Sequence, residues 1–136
     1  MSDPEQLEAN KALVRAYYDA LINRCDLGAL DRFVAEDYFD HPTGKRAGVE
    51  GVKVQARALH AAFGDFRVTI DDMVAEGDRV AMRGTWAGVH TGPFRGIAPT
   101  GRPFTVTGMV FFRIADGRIA ERWAQVDLKT AIMDGR

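Results

Sequence analysis

Hydrophobic positions recur at helical spacing in the first half of the chain and at every second residue in the second half. Leu7, Leu13, Val14, Tyr17, Leu21 and Ile22 form one stripe of a helix facing a core. Asp3 and Pro4 mark its start, as N-cap and first helical residue. Asp26 is placed to cap a short second helix carrying Leu27, Leu30, Phe33 and Val34. The stretch from Tyr38 to Gly48 reads as irregular, broken at His41-Pro42 and Thr43-Gly44, with room for a short strand near Gly44–Gly48. Val52, Ala56, Leu59 and Phe63 mark a third helix. From Phe66 the period becomes two. Phe66–Glu76 and Arg79–His90 meet at Gly77-Asp78, and Phe104–Ala115 and Arg118–Leu128 meet at Asp116-Gly117; both junctions are hairpin signals. Thr91–Pro103, rich in Gly and Pro, reads as a long loop suited to gating a pocket.

Helices first and strands second is an α+β pattern. Three helices over one face of a strongly bent, mainly antiparallel sheet leave a cone, and a cone is a ligand pocket. No repeat or linker divides residues 1–136, so a single domain is expected. The other sheet face still carries apolar side chains on the last two strands, which points to a homodimer packed through the sheets.

Composition narrows the function. Apolar residues make up 46% of the chain and net charge is −1, so a packed core is available and no basic surface argues for nucleic acid. No apolar run or leader pattern is present, and a cytoplasmic protein that does not bind membranes is expected. Cys25 is the single cysteine, expected as a small buried residue on a helix. His41, His60 and His90 lack metal-ligand spacing, so no metal is expected. The glycines between Gly92 and Gly101 lack the strand–loop–helix setting of a phosphate loop. Ser2 is the only serine, which leaves no serine nucleophile.

The segment from Gly117 to Asp127 concentrates the candidate chemistry. On an unbroken strand, Ile119, Glu121, Trp123, Gln125 and Asp127 share one face. Paired against Phe104–Phe112, Asp127 falls among Val106, Val110 and Trp123. A carboxylate there is either a hydrogen-bonded structural group or a tuned general base. An apolar setting would raise its pKa, whereas capping of the following turn, Leu128–Met133, is the structural alternative. Donors for a growing enolate charge are available in His41, His90, Trp123, Gln125 and Arg83. Arg83 also falls opposite Asp72, where a cross-strand ion pair is expected. Tyr17, Trp86 and Met109 complete the candidate ligand-binding set.

The order of motifs adds a resemblance. A helix, His41-Pro42, a second helix, Arg83-Gly-Thr-Trp-Ala-Gly-Val-His90, Gly96-Ile-Ala-Pro99-Thr-Gly101-Arg102, Phe112-Arg-Ile-Ala-Asp-Gly117 and Glu121-Arg-Trp123-Ala-Gln-Val-Asp127 together resemble the SnoaL-like polyketide cyclases of the nuclear-transport-factor-2-like superfamily. The resemblance implies a conical α+β fold and intramolecular aldol closure on an aromatic polyketide ester, with neither metal nor cofactor. It assigns the acid–base aspartate to Asp127 and a place at the pocket mouth to His41. A family histidine on the preceding strand is replaced here by Val110. Two related enzymes fit less well. A ketosteroid isomerase wants a tyrosine and an acid together on the sheet, and all three tyrosines precede the expected strands. An epoxide hydrolase wants an aspartate two residues after its arginine, where Arg83 has Thr85. The remaining alternative is a non-catalytic binder of small apolar molecules.

Overall fold

The structure is a computed structural model and describes residues 3–134. Helix α1 spans Pro4–Tyr18, and the Asp3 carboxylate accepts the Glu5 N–H at 3.1 Å as expected of its cap. It runs into a π turn, Asp19–Asn23, closed by the Arg24 N–H on the Asp19 carbonyl at 2.8 Å. A 3₁₀ turn, Leu27–Arg32, leads into strand β1, Val34–Asp40. Helix α2 (Gly48–Ala62) is followed by β2 (Phe63–Glu76), β3 (Arg79–His90), β4 (Pro103–Ala115), β5 (Arg118–Gln125) and the short helix α3 (Leu128–Asp134). The sheet order is β1-β5-β4-β3-β2, antiparallel except where β1 lies parallel to β5.

The expected α+β class and curved sheet stand, and so do both hairpins. Asp116 and Gly117 both have positive φ, 53° and 73°, the requirement of a tight two-residue turn whose twist matches the strands. The early segments differ from expectation. Val34 does not end a helix: it begins a fifth strand, and the supposed irregular stretch starts only after Asp40. Val34, Tyr38 and Asp40 are buried but Glu36, in phase with them, is exposed, so the alternation is interrupted and one of the buried positions is a carboxylate. Near Gly44–Gly48 only one bridge forms, between Asp40 and Lys45. Asp26 makes no side-chain cap. Cys25 is exposed, with φ of 50°, because the chain reverses there instead of continuing a helix.

A bulge in β5 decides which side chains face the helices. Ile114 pairs with Ile119, but Arg113 pairs with Glu121, so Ala120 is an extra residue. Residues directly opposite share a face. Ile119 therefore points into the core with Ile114, while Arg122 joins Phe112 and Ala124 joins Val110 on that same inner face. Glu121 and Trp123 turn outward. The core itself is built on edge-to-face rings, with Tyr17 and Tyr18 at 5.8 and 5.9 Å from Phe112, and Tyr18 at 6.1 Å from Trp86.

The chain leaves β5 by crossing over Gly108. A Cβ there would stand 2.6 Å from Val126 Cγ2 and 2.7 Å from the Gln125 carbonyl oxygen. At Gly92 a Cβ would stand 2.1 Å from the Ala61 carbonyl oxygen. Gly108→Ala is expected to cost about 1–3 kcal/mol by urea unfolding, the usual range for an overpacked site. Gly92→Ala is expected to cost at least as much, because its obstacle is backbone. Wild-type stability of both variants would contradict these close approaches.

Candidate active site

A cavity of about 190 Å³ lies between the helices and the inner sheet face. Leu21, Ile22, Val52, Leu59, Trp86 and Val126 supply its apolar wall. The π turn aims Leu21 and Ile22 inward and frees the Leu21 carbonyl, which His60 Nε2 meets at 2.8 Å. Exposed Pro42, Thr43 and Arg95 stand at the mouth, and buried Tyr17 and Tyr18 with Arg122 form the deep end.

Behind Arg122 sits a buried polar cluster. Asp40 is 2% exposed and is the register partner of Arg122 across the parallel β1–β5 pair. Arg122 Nε donates to Asp40 Oδ1 at 2.9 Å and to Tyr38 Oη at 3.2 Å, and the Tyr38 hydroxyl donates to Asp40 Oδ1 at 2.8 Å. The Thr43 N–H donates to Asp40 Oδ2 at 3.3 Å. Burial opposes the Asp40 charge, but the Arg122 guanidinium and the hydrogen bonds from Tyr38, Arg122 and Thr43 outweigh it and hold the carboxyl below its ordinary range. Burial likewise opposes the Arg122 charge, and the tyrosine oxygens and Asp40 more than restore it. Burial pushes the Tyr17, Tyr18 and Tyr38 hydroxyls up, so all three are neutral donors near pH 7.

The expected site residues divide between three places. Tyr17 and Trp86 line the cavity. Asp127 does not lie on the inner face, because the Ala120 bulge reverses the phase of the strand and the strand itself ends at Gln125. Its carboxylate is exposed and caps α3, accepting the Thr130 N–H at 3.0 Å and the Thr130 hydroxyl at 2.7 Å. Those two bonds lower its pKa, the reverse of the expected rise. Trp123 and His41 are on the outer face, stacked at 4.4 Å and 11°. His41 Nε2 stands 2.8 Å from Glu121, which also binds Arg113, and Arg79 covers Trp123 at 5.1 Å. His41 and then Arg113, by these hydrogen bonds, hold the Glu121 carboxyl below its ordinary value. Met109 is an exposed outer-face residue. Arg83 is outer as well, in register with Asp72 as expected but ion-paired at 4.0 Å with Asp71, the residue bulged out beside it.

His90 is fully buried at the end of β3 and holds the base of the following loop instead of lining the cavity. Its Nδ1 accepts the Thr100 N–H at 3.2 Å, which assigns the ring proton to Nε2. The Gly101 N–H to His90 carbonyl bond, 2.8 Å, and the His90 N–H to Arg102 carbonyl bond, 3.0 Å, tie the loop base down further. Phe94 buries against Phe63 at 5.0 Å, and Arg95 beyond it reaches the cavity mouth. Arg122, Tyr18, Tyr38 and Asp40 were absent from the sequence-derived set. The one available signal was Tyr38 and Asp40 two residues apart.

The Asp40 shift fixes an acid limb of stability. A carboxyl with a depressed folded-state pKa stabilises fully above its unfolded value and loses that contribution as pH falls through the folded one. Thermal unfolding is therefore expected to hold level above the ordinary value of 3.8 and to decline below it. A carbon-13 titration of Asp40 with a midpoint above 3.8 would contradict the cluster as described.

Comparison with known proteins agrees with this architecture. The SnoaL-like polyketide cyclase family profile matches residues 11–134. TsrD from Streptomyces laurentii is 30% identical with a TM-score of 0.85, covering 99% of this chain and 97% of its own. IdmH from Streptomyces antibioticus, a candidate polyketide cyclase, is 32% identical with a TM-score of 0.80, covering 93% and 96%. A SnoaL-like polyketide cyclase from Agrobacterium tumefaciens shares the fold at 23% identity and a TM-score of 0.80, covering 92% and 95%. No curated protein sequence gives a significant match. With a family profile over nearly its whole length and two solved relatives at this identity, the chain belongs to the SnoaL-like polyketide cyclases.

Proposed function

We propose that this protein closes a ring on a polyketide-like small molecule held in the cone, by acid–base chemistry without a cofactor. The observation that carries the reading is the cavity itself: apolar walls suited to an aromatic or polyketide chain, with hydrogen-bond donors gathered at one end. An aldol closure removes a proton from a carbon between two carbonyls. The enolate carbon then bonds to a second carbonyl carbon, whose oxygen takes up a proton. Donors at the deep end suit the oxygen that gains charge.

Asp127 is the proposed proton acceptor. Its neighbours in sequence, Val126 and Leu128, line the cavity, and it would have to turn away from Thr130 to reach a ligand. Its capping bonds favour a second reading, a binder of the same ligands without turnover. Asp127→Asn separates the two, because asparagine caps a helix about as well as aspartate. If Asp127 is the base, turnover of a poly-β-ketone ester is expected to fall at least about a hundredfold with the melting temperature unchanged. Undiminished turnover would remove Asp127 from the chemistry. A wild-type protein that binds the ester without converting it would establish the binder.

The outer face supports the expected homodimer. Val74 on β2 and Met109 and Phe111 on β4 are 63%, 61% and 52% exposed there, on either side of a groove over β3. Light scattering at micromolar concentration is expected to give twice the 15.0 kDa chain mass. A mass of one chain would contradict pairing through this face.

A further inference from the structure

We propose that the Tyr18 hydroxyl and the Arg122 guanidinium together hold a single ligand oxygen of enolate or phenolate type at the deep end of the cavity. The inference rests on the cavity being the ligand site and says what chemistry the site selects.

Tyr18 carries the argument. Its ring is 2% exposed and packed edge-on against Tyr17, Trp86 and Phe112, yet its hydroxyl has no hydrogen-bond partner among the described residues. Leaving a buried hydroxyl unpaired is costly, and such groups are rare in folded proteins. Here the residue lines the cavity, so a ligand can supply the missing acceptor. Arg122 lines the same end. Its bonds to Asp40 and Tyr38 both leave from Nε, and none of the hydrogen bonds found among the described residues uses its terminal nitrogens. Burial raises the Tyr18 hydroxyl and the adjacent Arg122 guanidinium pulls it back down, so the two groups are near neighbours at this end, and Arg122, having no acceptor, cannot take up the Tyr18 proton.

Asp40 shapes what this pair can bind. It cancels the formal charge of Arg122 and fixes the guanidinium from behind, so the site is no general trap for anions. What remains is two kinds of donor, O–H and N–H, at the same end of a cavity with apolar walls. That arrangement stabilises charge delocalised from a ring or a dicarbonyl into one oxygen. A single aromatic ring fits the volume, since a cavity on the order of 150 Å³ accepts benzene.

The test uses 4-nitrophenol, whose ionisation is read by its absorbance, and nitrobenzene as a neutral probe of similar size. Binding to the wild-type protein is expected to lower the apparent pKa of 4-nitrophenol by about one unit, the equivalent of a tenfold preference for phenolate. Tyr18→Phe keeps the ring and removes only the orphan hydroxyl. It is expected to weaken phenolate binding about tenfold, to leave nitrobenzene affinity unchanged and to melt no lower than wild type. Arg122 variants strand Asp40, so Tyr18→Phe is the decisive one. If both probes bind but the phenol pKa does not move, or if Tyr18→Phe binds phenolate as wild type does, the inference is overturned while the cavity reading survives. If nitrobenzene also fails to bind, both fall.

Discussion

The buried ion pair between Asp40 and Arg122 is the constraint on which the site depends. It joins the two strands that run parallel, β1 and β5, at one edge of the sheet. Taking both charges out of water is expensive, and their attraction repays it only when the remaining donors and acceptors are met. Tyr38, Thr43 and the shared geometry at Asp40 meet them. The pair thus fixes where β1 lies and which way the Arg122 guanidinium faces. The chemistry available at the deep end of the cavity follows from that orientation.

A second constraint is the separation of the two sheet faces. One extra residue, Ala120, moves Glu121 and Trp123 outward and brings Arg122, Ala124 and Val126 inward. The outer face gathers its own network around His41, with Trp123 stacked on it and Glu121 bridging to Arg113. That network braces the rim from outside, and Pro42 and Thr43, next in sequence, are what reaches the mouth. The π turn does similar work on the helical side, trading one regular hydrogen bond for inward placement of Leu21 and Ile22.

Much of the fold was legible because hydrophobic period reports directly on which face is buried. Four strands, both hairpin turns and the α1 cap were read at or within a few residues of their places. β1 escaped because its buried positions include Asp40, a residue whose burial only its distant partner Arg122 explains. The site was harder for the same reason. A bulge leaves no mark in a pattern of alternation, yet it inverts every position after it, so Asp127 and Trp123 were assigned to the wrong face and Arg122 was passed over. Tyr17 sits on the regular helix α1 and Trp86 on β3, whose register with β4 is unbroken, so a simple period describes both positions.

Urea unfolding of Asp40→Asn, Arg122→Met and the double variant measures the coupling between Asp40 and Arg122 most directly. Each single change strands a buried partner and is expected to cost about 3–5 kcal/mol. The double variant is expected to cost less than their sum by at least about 1 kcal/mol, as residues in one network do. Additive losses would mean that the two side chains do not depend on each other, and the proposed architecture of the deep end would be wrong.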